Sequence, residues 1–355
     1  MLIGLDKQII KPTVVGIDYE KLKECNNTIV STEGVTVPIN DYRVNEDRYI
    51  HHINIIDGIM FNRLTIGVAK AEIGNILFCY LDISKMGADD CNLIPYTSEG
   101  FKTYADKCIK YIEERYGVRL NNNKYKGESM EMNVTIEIDN KFNDYSYLLN
   151  IMGSLAIGGR RRYKYELYKD TLNECTGIRL YSKSRTKKVY DKSKQLRTEK
   201  EVKIKLDKEY MRIEDTLLNQ CRIKETFGTV YLEDITDEEI KEYMVKSIEE
   251  DLIKPLEKHI TEGNKLLKKI AKEEKKKDVR KWKRVFLYRA SSLMNKKGIP
   301  VVVDIEQLLA VLKEESPKNY SRDIKRLSKE IEELKHLHNN FTKLTEIKLK
   351  CNIID

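Results

Sequence analysis

Apolar residues recur along this chain in two rhythms, and the change from one to the other divides it. Between Arg48 and Ser84 three short runs, RYIHHINII, RLTIGVAK and NILFCYLDIS, are rich in Ile, Leu, Tyr and Phe. Such runs predict β-strands, with turns at the charged joint near Asn62 and at Gly74-Asn75. Met86 to Ser98, with Gly87 and Pro95, predicts a loop. In residues 99–116 the rhythm becomes helical: Phe101, Tyr104, Cys108, Ile109 and Ile112 fall at three- and four-residue steps, and Gly117 follows where a helix can end in the left-handed conformation. Alternation returns in Glu131–Asp139. Met132, Val134, Ile136 and Ile138 occupy one face there, and Glu131, Asn133, Thr135, Glu137 and Asp139 the other. Residues 144–157 predict a helix. Gly177 to Thr216 predicts a hairpin turning at Ser184-Arg185-Thr186 and then a further strand. In that strand Tyr210, Arg212, Glu214 and Thr216 share one face, with Met211, Ile213 and Leu217 on the other. Residues 1–47, broken by Pro12, Gly34 and Pro38, predict an irregular or short-stranded lead-in.

After Asp234 strand signals nearly vanish. Thr236 and Glu239 have the spacing of a capping box, opening a helix that runs to about Lys275 with a kink expected at Pro255. A second, basic helix places Val279, Trp282, Val285 and Phe286 on its apolar side and ends by Gly298-Ile-Pro300. Val303–Glu314 predicts a third, and Ser316-Pro317 opens a fourth. The fourth carries an Ile324, Leu327, Ile331, Leu334 stripe suited to docking on its own domain. This last pair resembles a helix-turn-helix, with Asn319, Ser321, Arg322 and Lys325 toward a groove, although most such pairs are plain helix pairs. The fold class expected is α+β: an amino-terminal antiparallel-sheet domain with packed helices, then a mostly α-helical carboxy-terminal domain. The divisions expected are 1–47, 48–234 and 235–355.

Composition narrows the function classes. A chain of 355 residues is long enough for two cores, and no apolar run approaches the ~20 residues of a membrane span. The start, MLIGLDKQIIKP, lacks the apolar core of a signal peptide, and seven scattered cysteines form no CxxC pair. A cytoplasmic protein without a disulfide frame is expected. No glycine-rich phosphate loop appears, so an ATPase is not expected. The net charge of +8 is unevenly spread: Arg179–Arg212 alone holds 13 Lys/Arg against 5 Asp/Glu, and Thr261–Pro300 holds 14 against 4. Two basic blocks in an otherwise acidic chain point to a polyanion, with nucleic acid favoured. Candidate phosphate contacts are Arg160, Arg161, Arg162, Arg185, Lys187, Lys276, Arg280, Lys281, Arg284 and Arg322. Tyr163, Tyr165, Tyr168, Tyr181, Tyr190 and Tyr210 are interleaved with the first block and its approach; Tyr163 and Tyr165, beside the arginines, could stack on bases.

Within the hairpin, Lys188, Tyr190 and Lys192 share a strand face, opposite a strand offering Arg212 and Glu214. A neutral phenol is a poor nucleophile, and nearby cations favour its ionised form. Lys188 and Lys192 would therefore activate Tyr190, and with Arg212 they would steady an attacked phosphodiester. Glu214 could hold Mg²⁺, a hard ion that polarises a phosphoryl group. Such chemistry leaves a phosphotyrosine link and a free DNA hydroxyl. Tyr181 and Tyr163 are rival nucleophiles, and an ordinary tyrosine in a solvated hairpin is the plainer alternative.

Lys188-Val-Tyr190-Asp191-Lys192, followed by Met211-Arg212-Ile213-Glu214, resembles the core of phage and plasmid replication initiators of the gene II/X type and of the related plasmid replication initiation factors. Val134-Thr-Ile-Glu137-Ile-Asp139-Asn140-Lys-Phe142 is similar to that family's strand with an acidic pair, and the looser likeness covers roughly residues 50 to 217. The resemblance implies a rolling-circle initiator that nicks one origin strand through Tyr190, with Mg²⁺ or Mn²⁺ as cofactor and origin DNA as partner. Glu137, Asp139 and Glu214 are the metal candidates. A host helicase is a further partner that the helical domain could recruit. One departure stands out. Many tyrosine nickases carry a His-hydrophobic-His strand before the tyrosine, whereas here His51-His52 are adjacent and His336-Leu337-His338 lies downstream in a helical pattern. That leaves a carboxylate metal site or none. The alternative reading is a non-enzymatic origin-binding initiator or repressor; a structural RNA-binding or coiled-coil protein would leave the paired carboxylate strands without a role.

Overall fold

A computed structural model describes residues 2–18, 21–22, 28–32, 49–57, 59–71, 74–83, 95–121, 124–157, 164–169, 175–199, 206–294, 305–334 and 340–353. The strands are β1 (Leu2–Ile10), β2 (Thr13–Ile17), β3 (Thr28–Thr32), β4 (Tyr49–Ile56), β5 (Arg63–Ala71), β6 (Gly74–Ile83), β7 (Val118–Asn121), β8 (Gly127–Ile138), β9 (Lys164–Lys169), β10 (Cys175–Tyr181), β11 (Arg185–Asp191) and β12 (Glu209–Leu217). The α-helices are α1 (Ser98–Tyr116), α2 (Ser146–Ile157), α3 (Lys192–Glu199), α4 (Gln220–Phe227), α5 (Asp237–Ile248), α6 (Lys254–Lys277), α7 (Trp282–Met294), α8 (Ile305–Glu315), α9 (Tyr320–Arg326), α10 (Ser328–Leu334) and α11 (Asn340–Lys350). The architecture is α+β: a large antiparallel sheet in the amino-terminal two-thirds and a mostly helical region over 237–350. Ten strands form the large sheet, in the order β3-β4-β5-β6-β1-β8-β12-β11-β10-β9, and β2 pairs apart with β7. Among the described residues no helix is long and apolar enough to cross a membrane.

The local signals account for most elements. The three runs between 48 and 84 form β4, β5 and β6. Thr97 caps α1 by accepting from the Gly100 amide, and Gly117 ends it at φ 70°, where a side chain would be strained. The Thr236–Glu239 capping box is closed in both directions. The expected kink is a π-helical turn, Glu249–Ile253, that joins α5 to α6, and Pro255 falls in the first turn of α6, where its missing N–H costs nothing. The hairpin turns two residues earlier than expected, over Ser182–Ser184, and Arg185 is already in β11.

Several expectations are corrected. In the described part of the lead-in, expected to be irregular or short-stranded, β2 and β3 are short strands of five residues each, whereas β1 has nine and lies in the middle of the sheet, paired with both β6 and β8. It was hidden by a bulge. Leu5 pairs with Met132 and Gln8 with Met130, so Asp6 and Lys7 together oppose Glu131, and the period-two alternation slips there. Val279 and Val285 are 76% and 38% exposed, whereas Trp282 and Phe286 are buried. Val279 precedes the helix start, and Val285 is one residue out of phase with Phe286. Ser316 donates to the Asp323 carboxylate instead of capping the next helix.

Buried apolar residues gather in two cores. Helix α5, the π turn and the first turns of α6, through Ile260, pack into the sheet core, and α11 returns to it through Leu344 and Ile347. A second core gathers Leu267, Ile270 and Ala271 of α6, Trp282 and Phe286 of α7, Leu308 and Val311 of α8, and Leu327 and Ile331. Ile324, Leu327 and Ile331 of the expected stripe thus dock on this core, and the Leu334 side chain lies outside the described ones.

On the core-facing side of β11 and β12 sits a buried ionic group. Arg185 and Lys187 are 2% and 0% exposed. Arg185 Nε donates to Asp215 Oδ1 at 2.7 Å and its Nη2 lies 2.9 Å from Asp251 Oδ2, while Lys187 Nζ lies 3.3 Å from Asp215 and 3.2 Å from Asp251. Ser247 Oγ accepts from both cations and donates to Asp215 at 2.5 Å. Burial lowers the Lys187 pKa despite Asp215, and Lys187 with Arg185 overcomes burial to hold Asp215 well below the ordinary carboxylate range. Replacing Asp215 by Asn leaves two buried cations against one carboxylate. Urea unfolding should then show a loss of about 3–5 kcal/mol, against under about 0.5 kcal/mol for exposed Lys183→Ala.

Candidate active site on the polar sheet face

Adjacent strands place opposed residues on the same face, so the register defines the site. Tyr190 of β11 pairs with Arg212 of β12, which pairs with Thr135 of β8. One step along, Lys188 pairs with Glu214, and Glu214 with Asn133; Thr216 pairs with Glu131. The bulge in β1 adds Asp6. Side chains from four adjacent strands, β1, β8, β12 and β11, thereby meet on one polar face, opposite the buried ionic group.

The contacts are short. Tyr190 Oη donates to Glu214 Oε1 at 2.6 Å, and Lys188 Nζ donates to Glu214 Oε2 at 2.9 Å. Lys188 also lies 3.6 Å from Glu131 Oε2, which accepts from Thr216 Oγ1 at 3.0 Å. Arg212 is fully buried, its Nη1 at 3.1 Å from Asp6 Oδ2 and its Nε donating to Thr135 Oγ1 at 3.0 Å. One carboxylate oxygen from each of Asp6, Glu131 and Glu214 lies within 4.8 Å of the others. Asn133, fully buried, donates from Nδ2 to Asp6 at 3.3 Å, while its Oδ1 has no partner. The three carboxylates form an all-oxygen donor set, the kind that suits a hard divalent cation. The residues present fit such an ion.

Electrostatics set the protonation states. Burial and the neighbouring Glu214 push Glu131 up to about 7. Burial acts the same way on Glu214, but Lys188 and Tyr190 outweigh it and hold Glu214 below the usual range. Burial and then Glu214 push the Tyr190 phenol well above its ordinary value, with Arg212 pulling the other way. Burial works against the Lys188 ammonium, yet Glu214 and Glu131 keep it above the ordinary lysine range. The tyrosine is thus protonated at rest beside an ionised acceptor. Lys188 serves the carboxylates and not the phenol, contrary to the activation expected from spacing.

The other expected site residues fall as follows. Lys192 does not share the strand face, because β11 stops at Asp191 and α3 begins. Asp191 Oδ1 accepts from the Lys194 amide at 2.8 Å and so starts that helix. Lys192 Nζ bonds Gln195 and sits 6.0 Å from the Tyr190 ring centroid. Glu137 and Asp139 are not brought to Glu214. Glu137 lies four residues along β8 from Asn133, about 13 Å away, and bonds Lys208 at 2.6 Å. Asp139 contacts Lys350 at 3.3 Å, and its amide donates to Glu346. Arg185 and Lys187, expected on phosphates, are corrected: both are sealed in the ionic group beneath the sheet. Lys276, Arg280, Lys281, Arg284 and Arg322 are exposed, with Arg284 paired to Glu330 at 2.6 Å. Tyr181 lies under the Arg179 guanidinium, 5.1 Å away. Arg160, Arg161, Arg162, Tyr163 and His336–His338 lie outside the described residues.

Spacing alone missed Asp6, Glu131 and Asn133. Glu131 and Asn133 stand on the polar face of the same alternation as Glu137, so the face was legible and the cross-strand register was not. No family model and no curated protein matches this chain.

The pH consequence is specific. Removing the Glu214 charge relieves the repulsion that raises Glu131, so in Glu214→Gln the Glu131 carboxyl should titrate closer to the ordinary glutamate value. Carbon-13 NMR of labelled glutamates, with a midpoint near 7 in the wild type, checks this.

Proposed function

We propose that the protein is a metal-dependent tyrosine DNA-nicking enzyme that initiates replication of a plasmid or phage. The observation that carries the reading is the 2.6 Å hydrogen bond from Tyr190 to Glu214 within a carboxylate cluster. In this reading Glu214 accepts the phenolic proton as Tyr190 Oη attacks the phosphorus of one origin strand. The 3′ oxygen leaves and takes a proton from solvent, so the products are a 5′-phosphotyrosine link and a free 3′ hydroxyl. A positioned base of this kind contributes about 10²–10⁴-fold. Mg²⁺ or Mn²⁺ held by Asp6, Glu131 and Glu214 would supply Lewis-acid polarisation of the phosphoryl group. Arg212 orients Asp6, and Lys188 bridges Glu131 and Glu214 while its 33% exposed side chain remains open to a phosphate oxygen. The exposed cations at the α6–α7 junction, Lys276, Arg280, Lys281 and Arg284, offer sequence-independent phosphate contacts. Those same cations favour a second reading, an origin-binding initiator or repressor without chemistry.

Supercoiled DNA carrying the chain's own gene and flanking sequence, incubated with Mn²⁺ and then denatured, separates the two readings. Wild type should yield nicked circles with protein on the 5′ end, Tyr190→Phe none, and Glu214→Gln at least about 100-fold less. Tight binding with no cutting by any variant establishes the second reading. Equal cutting by wild type and Tyr190→Phe removes Tyr190 from the role. The metal assignment is separable from both. Mn²⁺ affinity, read by electron paramagnetic resonance, should fall about tenfold per pH unit below about 7, because the cation must displace the Glu131 proton. Glu131→Gln should weaken binding and flatten that dependence, while Glu137→Gln leaves both unchanged.

A further inference from the structure

The row of opposed residues that contains Tyr190 continues outward. Tyr190 pairs with Gly177 of β10, and Gly177 pairs with Tyr168 of β9. Tyr168 and Tyr190 therefore rise from the same sheet face, two strands and about 10 Å apart, with no side chain between them. The gap is enforced by packing: a Cβ on Gly177 would lie 2.6 Å from the Val189 carbonyl oxygen and 2.8 Å from Tyr190 Cβ. Tyr168 is 36% exposed on β9, which ends the sheet order. In the neighbouring row Arg179 pairs with Lys188. Its guanidinium reaches Glu166 only at 3.7 Å, and its buried Nε has no hydrogen-bond partner. An exposed ring, a glycine without a side chain, the Tyr190 hydroxyl and two cations of the adjacent row thus share one stretch of the sheet face.

We propose that this stretch of the sheet face, over Gly177 between Tyr168 and Tyr190, seats a base of single-stranded DNA, stacked on Tyr168, next to the phosphate that Tyr190 attacks. The assignment rests on the nicking reading for the role of Tyr190 and on the register for everything else. Aromatic stacking is tolerant of base identity, so the seat favours an unpaired nucleotide and not a sequence. Arg179 and Lys188, both in the adjacent row, are placed to meet the phosphate on that one side of the base. Double-stranded DNA, whose bases are stacked on each other, cannot use the seat until the origin is opened.

The test uses the full chain carrying Tyr190→Phe, in EDTA, so that nothing is cut, with fluorescein-labelled dT20 read by anisotropy. A 20-mer containing one 2-aminopurine reports stacking by quenching. Adding Tyr168→Ala should weaken dT20 binding by about 5- to 100-fold, the range expected for one stacked base, and lose the quench. Adding Tyr168→Phe should restore both, because the ring and not its hydroxyl does the stacking. Undiminished binding by a Tyr168→Ala protein that melts like its parent overturns the proposal, as does a Tyr168→Phe protein as weak as the alanine variant. Adduct formation by wild type together with Tyr168-independent binding discards the seat and keeps the nickase. Tyr168-dependent binding by a protein that never nicks keeps the seat and discards the nickase.

Discussion

The charge balance beneath β11 is what the upper face of the sheet rests on. Arg185 and Lys187 point into the core from the same strand that lifts Lys188 and Tyr190 to the other side, and they are tolerable there only because Asp215 and Asp251 meet them. Unpaired, each buried ion would cost several kcal/mol. Asp215 comes from the neighbouring strand and Asp251 from the π-helical turn between α5 and α6, so satisfying these charges fixes β11 against both. Ser247, at the end of α5, closes the group by bonding three of its four members. A strand pinned this way cannot slip by one residue, because a slip would send every charge to the wrong face.

The two faces differ in how their charges sum. Below, two cations meet two carboxylates. Above, Asp6, Glu131 and Glu214 meet only Lys188 and Arg212. Burial first, and then this surplus negative charge, raise Glu131 and keep the Tyr190 proton in place. It also gives the cluster a physical reason to take up a cation, while the balanced face below has none. Strands β11 and β12 thus provide a rigid layer on one face and, on the other, part of a layer whose protonation is still free to change.

How much of this could be read from the chain follows from which signals are local. Helix α1, its closing Gly117, the capping box at Thr236 and the runs of β4 to β6 depend on neighbouring residues, and all were legible. So was the alternation that puts Lys188 with Tyr190 and Arg212 with Glu214. Strand β1 was not, because its bulge breaks the period at the residue that matters, Asp6. Glu131 was placed on the correct face but passed over for Glu137 and Asp139, since distance along a sheet depends on register between strands far apart in sequence. Arg185 and Lys187 read as solvated cations for a related reason: their partners lie in β12 and in a helix some sixty residues on. Asp215 was the available warning. It stands among Met211, Ile213 and Leu217 on an otherwise apolar face, and a lone carboxylate in such company calls for a buried base.

Helix α6 belongs to both cores, holding Leu256 and Ile260 in the first and Leu267 and Ile270 in the second. A single rod of 24 residues, about 36 Å long, therefore carries two sets of packing surfaces whose relative direction is a matter of helical phase. One residue inserted between Ile260 and Leu267 would leave each core's own contacts intact and turn one about 100° around the rod relative to the other. The spacing of that short segment, more than any residue in it, sets the heading at which the helical region faces the sheet.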